Sequence, residues 1–495
     1  MEHGGKTLSR LAEAVGGRLV PAGAGRALIT DVTHDSRRSG PGALYVAVRG
    51  EKVDGHDFVG RAAAAGSPAV CVEEAVDLEA AQIVVEDTRA SMGALAAEVH
   101  GHPSHALTVV GVTGTNGKTT VTHYLESIAR DAGRRTGLAG TIVTRVGASE
   151  TASSHTTPEA PDFQRLLAHM RDDRVDLAAV EVSSHALELG RVAATRFAAA
   201  AFTNLTRDHL DFHGDMDAYK RAKRKLFDEH EVGVAVVNID DPTGAEIAAD
   251  RRGELLTVGR DGAVGRGPLT PVPGGVAFEL RAPDGSAKVT APVAGAFNAD
   301  NAVLAAACGL AAGLSFDEAA SGLHTLRGVP GRFEVVSGDD PLRVVVDYAH
   351  TPDGVAEAIK AARATAPNRV IAVLGAGGDR DRGKRRRMGA AASAADLVVV
   401  TSDNPRSEDP AAIAEAVAAG ARGETATVVE INRSAAVDLA IGEARDGDAV
   451  LVLGRGCEPT QETGGRSAPL DDREIAREAL ARRRARSADA RSVKP

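Results

Sequence analysis

The stretch "VVGVTGTNGKTTVTHYLESI", residues 109–128, sets a glycine-rich turn between a strand-like run and a helix-like run. Gly114 and Gly117 let backbone N–H groups converge on phosphate oxygens. Lys118 adds a point charge, and Thr119 offers a hydroxyl for magnesium at the start of a helix. Strict GxxxxGK[ST] fails, because Val112 holds the first glycine position. An ordinary βα turn has no need of Gly-Lys-Thr-Thr at this place, so the residues point to a nucleoside triphosphate.

Two further stretches pose chemical questions. In "YKRAKRKLF", 219–227, Tyr219, Ala222, Leu226 and Phe227 form one apolar stripe at helical spacing, and Lys223 falls in its middle. A buried ammonium is costly unless it is paired, neutralised or able to snorkel. In "TSDNPRSEDP", 401–410, a strand-like run meets Pro405, which cannot extend a sheet. The turn presents Asp403, Asn404 and Arg406, both signs of charge at a strand end. Glu181 ends the strand-like run "LAAVE", and His209 lies beyond the run "AAAAFTN". From type alone His209 reads as a loop or core histidine sooner than as a metal ligand; taken with Glu181 and the phosphate loop, the reading turns toward a metal.

These positions need a scaffold of alternating strands and helices. Short apolar runs such as "ALYVAV", "DLAAVEV", "RVIAVLGAGG" and "DAVLVLGRG" alternate with helical stretches throughout, which argues for parallel sheets with ligands at the carboxyl ends of the strands. The exception is 254–293, where "LLTVG" and "GVAFELRAPDGSAKVTAPV" read as hairpins. The run "AVLAAACGLAAGL" is too short to span a bilayer and reads as a buried helix. Three blocks emerge, at 1–105, 106–331 and 332–495. With 43% hydrophobic and 25% charged residues the chain is an ordinary globular protein, and a net charge of −10 argues against nucleic acid or membrane as partner. Three scattered cysteines give neither a disulfide framework nor a zinc pattern, and no signal-peptide core opens the chain, so a reducing cytoplasm is expected. The Arg482, Arg483, Arg484 and Arg486 cluster reads as a solvated, frayed terminus.

"TGTNGKTT" resembles the ATP loop of the Mur ligases, enzymes that add amino acids to the peptidoglycan precursor. "DVTHDSRRSGPGALYVAVRG", "SHTTPEA", "EVSSHALELGR", "NLTRDHLDFHG", "VVDYAHTPD", "GAGGDRDRGKR" and "DNPRSEDP" resemble the diamino-acid-adding branch of that family, in order, from about residue 30 to 475. The resemblance implies an α/β protein of three domains: a central P-loop NTPase-like parallel sheet, an N-terminal α/β domain that binds UDP, and a C-terminal Rossmann-like domain that binds the amino acid. It implies an ATP-dependent ligase, acting through an acyl phosphate, that joins meso-diaminopimelate to UDP-N-acetylmuramoyl-L-alanyl-D-glutamate, with Mg2+ as cofactor and a monomeric state.

Site residues follow from the same resemblance. Gly114, Thr115, Asn116, Gly117, Lys118, Thr119, Thr120, Asn298, Asn301, Arg332 and His350 are expected around ATP. Ser36 and Arg37 are expected at the UDP end, and Thr156, Thr157, Ser183 and Arg191 at the muramoyl dipeptide. Arg380, Asp403, Asn404, Arg406, Gly454 and Glu458 are expected around diaminopimelate, with Arg406 forking onto the distal carboxylate that lysine lacks. Thr119, Glu181, His209 and Lys223 are expected at magnesium, Lys223 as an N6-carboxylysine, and Lys118, Lys223, Glu181 and His209 as the catalytic set. The family pattern "GKGHE" is departed from at Arg455 and Cys457, and the usual proline of "GKRP" is Arg386 here. A ligase for lysine or another amino acid, a secondary-pathway paralogue and a nonenzymatic nucleotide sensor remain open as alternatives.

Overall fold

The computed structural model describes residues 5–50, 53–153, 155–366, 368–421 and 425–492. Three principal sheets follow one another along the chain. In the first, strands run in the order Arg18–Val20, Ala81–Val84, Ala69–Val72, Ala43–Val46, Asp31–Thr33, parallel except for the first. Helices Leu8–Ala14 and Thr88–His100 bury Leu8, Leu11, Met92 and Leu95 with Ile29, Val32 and Leu44 of the strands.

The second sheet has eight strands. At its centre the strand Thr108–Thr113 lies between Leu177–Glu181 and Phe197–Phe202, all parallel. Register sets Glu181 beside Val112, and Phe202 beside Thr113. The phosphate loop, Glu181 and the segment beginning at Thr203 therefore leave the sheet side by side. That is the placement expected for a ligand site in a parallel sheet. The strands Val143–Val146 and Ser149–Ala152 cap one edge antiparallel. The hairpin expectation for 254–293 needs correction at its start: Glu254–Val258 pairs parallel with Val232–Asn238 and extends the large sheet. Gly275–Ala282 and Gly285–Ala291 do form a hairpin. The Ala-rich helix Ala296–Ala311 is buried against the helix Lys118–Asp131 and supplies the core of this region through Ala302, Val303, Ala305 and Ala306.

The third sheet runs Glu334–Val335, Arg343–Asp347, Ala449–Leu453, Val370–Leu374, Leu397–Val400, Ala426–Val429, parallel after the first strand. Its carboxyl ends gather Tyr348–His350, Gly375–Gly378, Asp403–Arg406 and Gly454–Glu458. The C-terminal arginines are not a frayed end. Helix Asp472–Ser492 docks through buried Ala476, Ala479 and Leu480, Arg482 bonds Asp438 at 2.8 Å, and Arg484 bonds Asp340 at 2.7 Å. Alanines and leucine at helical spacing supply the apolar contact; Asp438 on helix Arg433–Glu443 and Asp340 in the loop before Arg343–Asp347 hold Arg482 and Arg484, while Arg486 is exposed.

Candidate active site

A cleft of about 950 Å3 lies where the second and third sheets meet, and residues of the phosphate loop line it from Thr115 to Thr120. Gly114 has φ +140° and Gly117 φ +88°. A Cβ at Gly117 would stand 2.6 Å from Asn301 Oδ1, and one at Gly114 1.8 Å from Thr203 Oγ1, so only glycine fits either position. Lys118 Nζ folds back to donate to Gly114 O and Thr115 O, each at 2.8 Å. Burial pushes its ammonium below the ordinary lysine range, which favours an incoming polyanion as charge partner.

Glu181 is wholly buried beside this loop. Its carboxylate accepts from Thr119 Oγ1 at 2.9 Å, Thr141 N at 2.7 Å and Thr141 Oγ1 at 3.1 Å. Arg332 reaches across from the third sheet's region to donate to Thr119 Oγ1 at 3.2 Å, and stacks 4.2 Å from the Tyr348 ring centre. Asn298 is buried and donates to Ala294 O; Asn301 and His350 line the cleft.

Lys223 sits on the buried face of helix Met216–Asp228, 1% exposed, with Tyr219, Ala222, Leu226 and Phe227 around it. Snorkelling is ruled out by that burial. Its Nζ donates to Gly114 O at 2.6 Å and lies 4.4 Å from the Tyr219 ring centre. Burial and the Lys118 charge push it well below the ordinary lysine value. His209, at φ +54°, is driven by burial to about 2, so its ring is neutral. Among the described residues no group of three or more His, Cys, Asp or Glu stands ready as a metal cluster. The donors that are present, a buried carboxylate, a threonine hydroxyl and a neutral imidazole beside a phosphate loop, nevertheless suit a hard divalent cation.

Thr157 ties the expected dipeptide residues to this centre. Its hydroxyl donates to Glu181 O at 2.7 Å, Ser183 N donates to it at 3.2 Å, and Arg191 donates to Thr157 O at 3.2 Å while pairing with Glu159 at 2.8 Å. The Thr156 hydroxyl donates to Thr141 Oγ1 at 3.1 Å, whose own hydrogen goes to Glu181. Ser36 and Arg37 stand apart from the cleft. Arg37 is exposed and pairs with Asp35 at 2.8 Å.

The residues expected around the diamino acid are brought together unequally. Asn404 Nδ2 donates to Glu458 Oε2 at 2.8 Å, and Gly454, at φ +114°, leaves room for Asp403, whose Oδ2 lies 2.6 Å from where a Cβ would stand. Burial and the Asp403 charge raise the Glu458 carboxyl. Arg406 donates to Gly378 O at 2.7 Å and lies 3.5 Å from Glu462. It pairs with neither neighbouring acid: Glu408 is held by Arg385 at 2.8 Å, and Asp409 caps the next helix. Arg380 is exposed and donates to Asp379 O, outside this group. Cys457 is half-buried, and burial raises its thiol.

Several residues escaped the sequence reading. Asp208 accepts from Lys384 at 3.0 Å and lies 3.2 Å from His350 Nε2, joining the second and third sheets' regions. Burial opposes its charge, but the His350 hydrogen bond and the His350 and Lys384 charges outweigh that and hold it well below the ordinary carboxylate range. Arg207 adds a second bridge to Asp381 at 3.0 Å. The signal for Asp208 was its place beside His209 in "TRDHLD". Arg433 is fully buried, paired twice with Asp472 at 2.7 Å, and donates to Ser402 O and Leu453 O, the carbonyls just before Asp403 and Gly454. Nothing in the sequence around it signals that role.

Comparison with known proteins agrees with this architecture. Residues 28–103 match the model "Mur ligase family, catalytic domain", 112–309 the "Mur ligase middle domain", and 331–456 the "Mur ligase, glutamate ligase domain". The chain belongs to the Mur ligase family, ATP-dependent ligases that form amide bonds. Among its relatives, UDP-N-acetylmuramoyl-L-alanyl-D-glutamate–2,6-diaminopimelate ligase of Bacillus licheniformis is 41% identical over 91% of this chain and 94% of its own. The ligase of that name from Streptomyces coelicolor is 43% identical over 96% of both chains. A solved structure of such a ligase aligns with TM-score 0.69 at 30% identity, covering 97% of this chain and 99% of its own. MurF from Acinetobacter baumannii, at 23% identity and TM-score 0.67, shares the fold.

Proposed function

We propose that this chain joins meso-diaminopimelate to the D-glutamate γ-carboxylate of UDP-N-acetylmuramoyl-L-alanyl-D-glutamate, with ATP cleaved to ADP and phosphate. The observation that carries the reading is one arrangement: a phosphate loop and buried Glu181 at one sheet's carboxyl ends share a cleft with Tyr348 and His350 of another, whose carboxyl ends also carry the Asp403–Asn404–Glu458 group and Arg406. The blocks 1–105, 106–331 and 332–495 then hold the UDP end, ATP and the amino acid respectively.

The substrate carboxylate attacks the γ-phosphoryl group; an O–P bond forms, the bond to the β-phosphate oxygen breaks, and ADP leaves. The neutral amino group of the diamino acid attacks the acyl phosphate carbon; the C–N bond forms, the C–O bond to phosphate breaks, and the amine proton leaves with inorganic phosphate. Two anions meet in the first step, so charge neutralisation dominates the barrier. Lys118 and the N-terminal amides of the helix Lys118–Asp131 answer the phosphate charge. Magnesium, held by Thr119, Glu181, His209 and carbamylated Lys223, would supply further neutralisation of the phosphate oxygens. The depressed Lys223 amine favours this modification, because only the neutral amine adds CO2. Asp403 and Glu458 receive an ammonium, and Arg406 takes the distal carboxylate.

Replacing Arg406 by alanine tests the assignment. Truncating one partner of such a charge pair costs about 2–5 kcal/mol, so kcat/KM for diaminopimelate falls by about 30-fold or more. Lysine lacks the distal carboxylate, and its kcat/KM changes much less. An unchanged diaminopimelate-to-lysine ratio would sink the assignment and favour a ligase for another amino acid.

A further inference from the structure

Behind the amino-acid loop lies a guanidinium that the chemistry above does not use. Arg455 follows strand Ala449–Leu453 and is 0% exposed. Its Nη1 donates to Asn404 Oδ1 at 2.8 Å, its Nη2 donates to Thr460 O at 2.6 Å, and Nη1 lies 3.5 Å from Glu458 Oε2. Its Nε, also buried, has no hydrogen-bond partner. A cation this deep is costly unless its contacts require it.

Its contacts fix an orientation. Asn404 Oδ1 accepts from Arg455 and also from the backbone N–H of Glu462 at 2.9 Å. Both partners can only donate, so the atom facing them must be the amide oxygen. The amide nitrogen is thereby turned to Glu458, which it reaches at 2.8 Å. The second arm of the fork holds Thr460, first residue of the hairpin Thr460–Thr463 with Arg466–Pro469. That hairpin binds the backbone of Arg406 on both sides: Arg406 N donates to Glu462 O at 3.1 Å, and Gly464 N to Arg406 O at 2.6 Å. One buried side chain thus connects the Asn404–Glu458 pair to the support of Arg406.

We propose that Arg455 is a positioning residue for the amino-acid pocket, which orients the Asn404 amide against Glu458 and fastens the hairpin that carries Arg406. The inference rests on the reading of this pocket as the diamino-acid site. A lysine here keeps the charge but not the planar fork that spans both partners.

The test is a double-mutant cycle of Arg455→Met and Asn404→Ala, with KM for each of the three substrates. Arg455→Met raises KM for diaminopimelate roughly ten- to hundredfold, while KM for ATP and for the UDP substrate stays within about twofold. Arg455→Lys recovers part of the loss. On the Asn404→Ala background Arg455→Met costs clearly less than on the wild type, because its main target is gone. Equal rises in all three KM values, an unchanged KM for diaminopimelate, or strictly additive effects would each overturn the inference. Should Arg455→Met fail to fold, Arg455→Lys enters the same cycle, with a several-fold rise in place of the larger one and the same overturning results. If the wild type does not use diaminopimelate, the proposed function fails by itself. The cycle is then run with the amino acid the wild type accepts, and the two failures stay distinct.

Discussion

Lys223 shows how one residue's surroundings can demand chemistry. Its amine is buried on an apolar helix face, and Gly114 O is shared with Lys118. Two lysines on one carbonyl are a poor resting place for two positive charges, and a carbamate would turn one of them into an anion. Lys223→Ala is expected to lose about 100- to 1,000-fold or more in kcat, the scale for removing a preorganised group that answers transition-state charge. A short carboxylate such as formate or acetate in the buffer restores part of that loss by standing in for the carbamate. A mass spectrum of active, magnesium-loaded enzyme with an unmodified Lys223 would overturn the carbamate. This lysine was legible because helical periodicity makes a charge in an apolar stripe conspicuous. Asp208 was passed over, because its one signal was adjacency to His209 and an acid in a polar loop breaks no periodicity; its importance comes from Lys384, 176 residues away.

At the scale of elements, strand order decides which loops become neighbours. Alternating apolar runs disclosed parallel sheets and the buried helix Ala296–Ala311. They did not disclose that Glu254–Val258 joins the large sheet, since a short apolar run reads alike in a hairpin or at a parallel edge. The C-terminal helix was missed for a related reason: its arginines dominate the composition, while Ala476, Ala479 and Leu480 do the packing. Arg433 joins that helix to the rest through Asp472. Arg433→Ala leaves an uncompensated buried carboxylate and is expected to cost about 3–5 kcal/mol, read as a lower midpoint for the C-terminal region in thermal unfolding. It also loosens Ser402 and Leu453, so KM for the amino acid rises with it. Unfolding indistinguishable from wild type would show that the pair is dispensable.

Across the whole molecule, ion pairs accompany the apolar contacts at several of the joints, where Ala160 packs on the first region and Phe297 on Phe333 of the third. Arg165 reaches from helix Ala160–Asp172 to Asp31 at 2.9 Å, and Arg38 reaches Asp162 at 2.6 Å. Burial would raise Asp31, but the His100 ring 3.4 Å away and the Arg165 guanidinium, which donates to both its oxygens, pull it down to about 2. A depressed carboxylate stabilises the folded state fully above its unfolded value of 3.8, and that contribution disappears as pH falls toward about 2. The difference in Tm between wild type and Asp31→Asn is therefore present at neutral pH and shrinks through that acid window. A difference independent of pH would contradict the pairing. On the other side of the cleft, Asp208 with Lys384 and Arg207 with Asp381 bring the third sheet's loops over the phosphate loop. The separate motifs were readable in the sequence, but which of them share the cleft, the phosphate loop with Tyr348 and His350 and not Ser36 or Arg37, depends on this docking of regions.

The proposed reaction draws on all three regions at once, and its stoichiometry tests the account most directly. Inorganic phosphate release from ATP is measured with the UDP-muramoyl dipeptide and meso-diaminopimelate together and with each omitted, and the product is weighed by mass spectrometry. The account predicts phosphate release at a sustained rate only when both are present, and one amide-linked product per phosphate whose mass is that of the two substrates less one water. Sustained phosphate release without the diamino acid, or turnover that yields no such product, would contradict it.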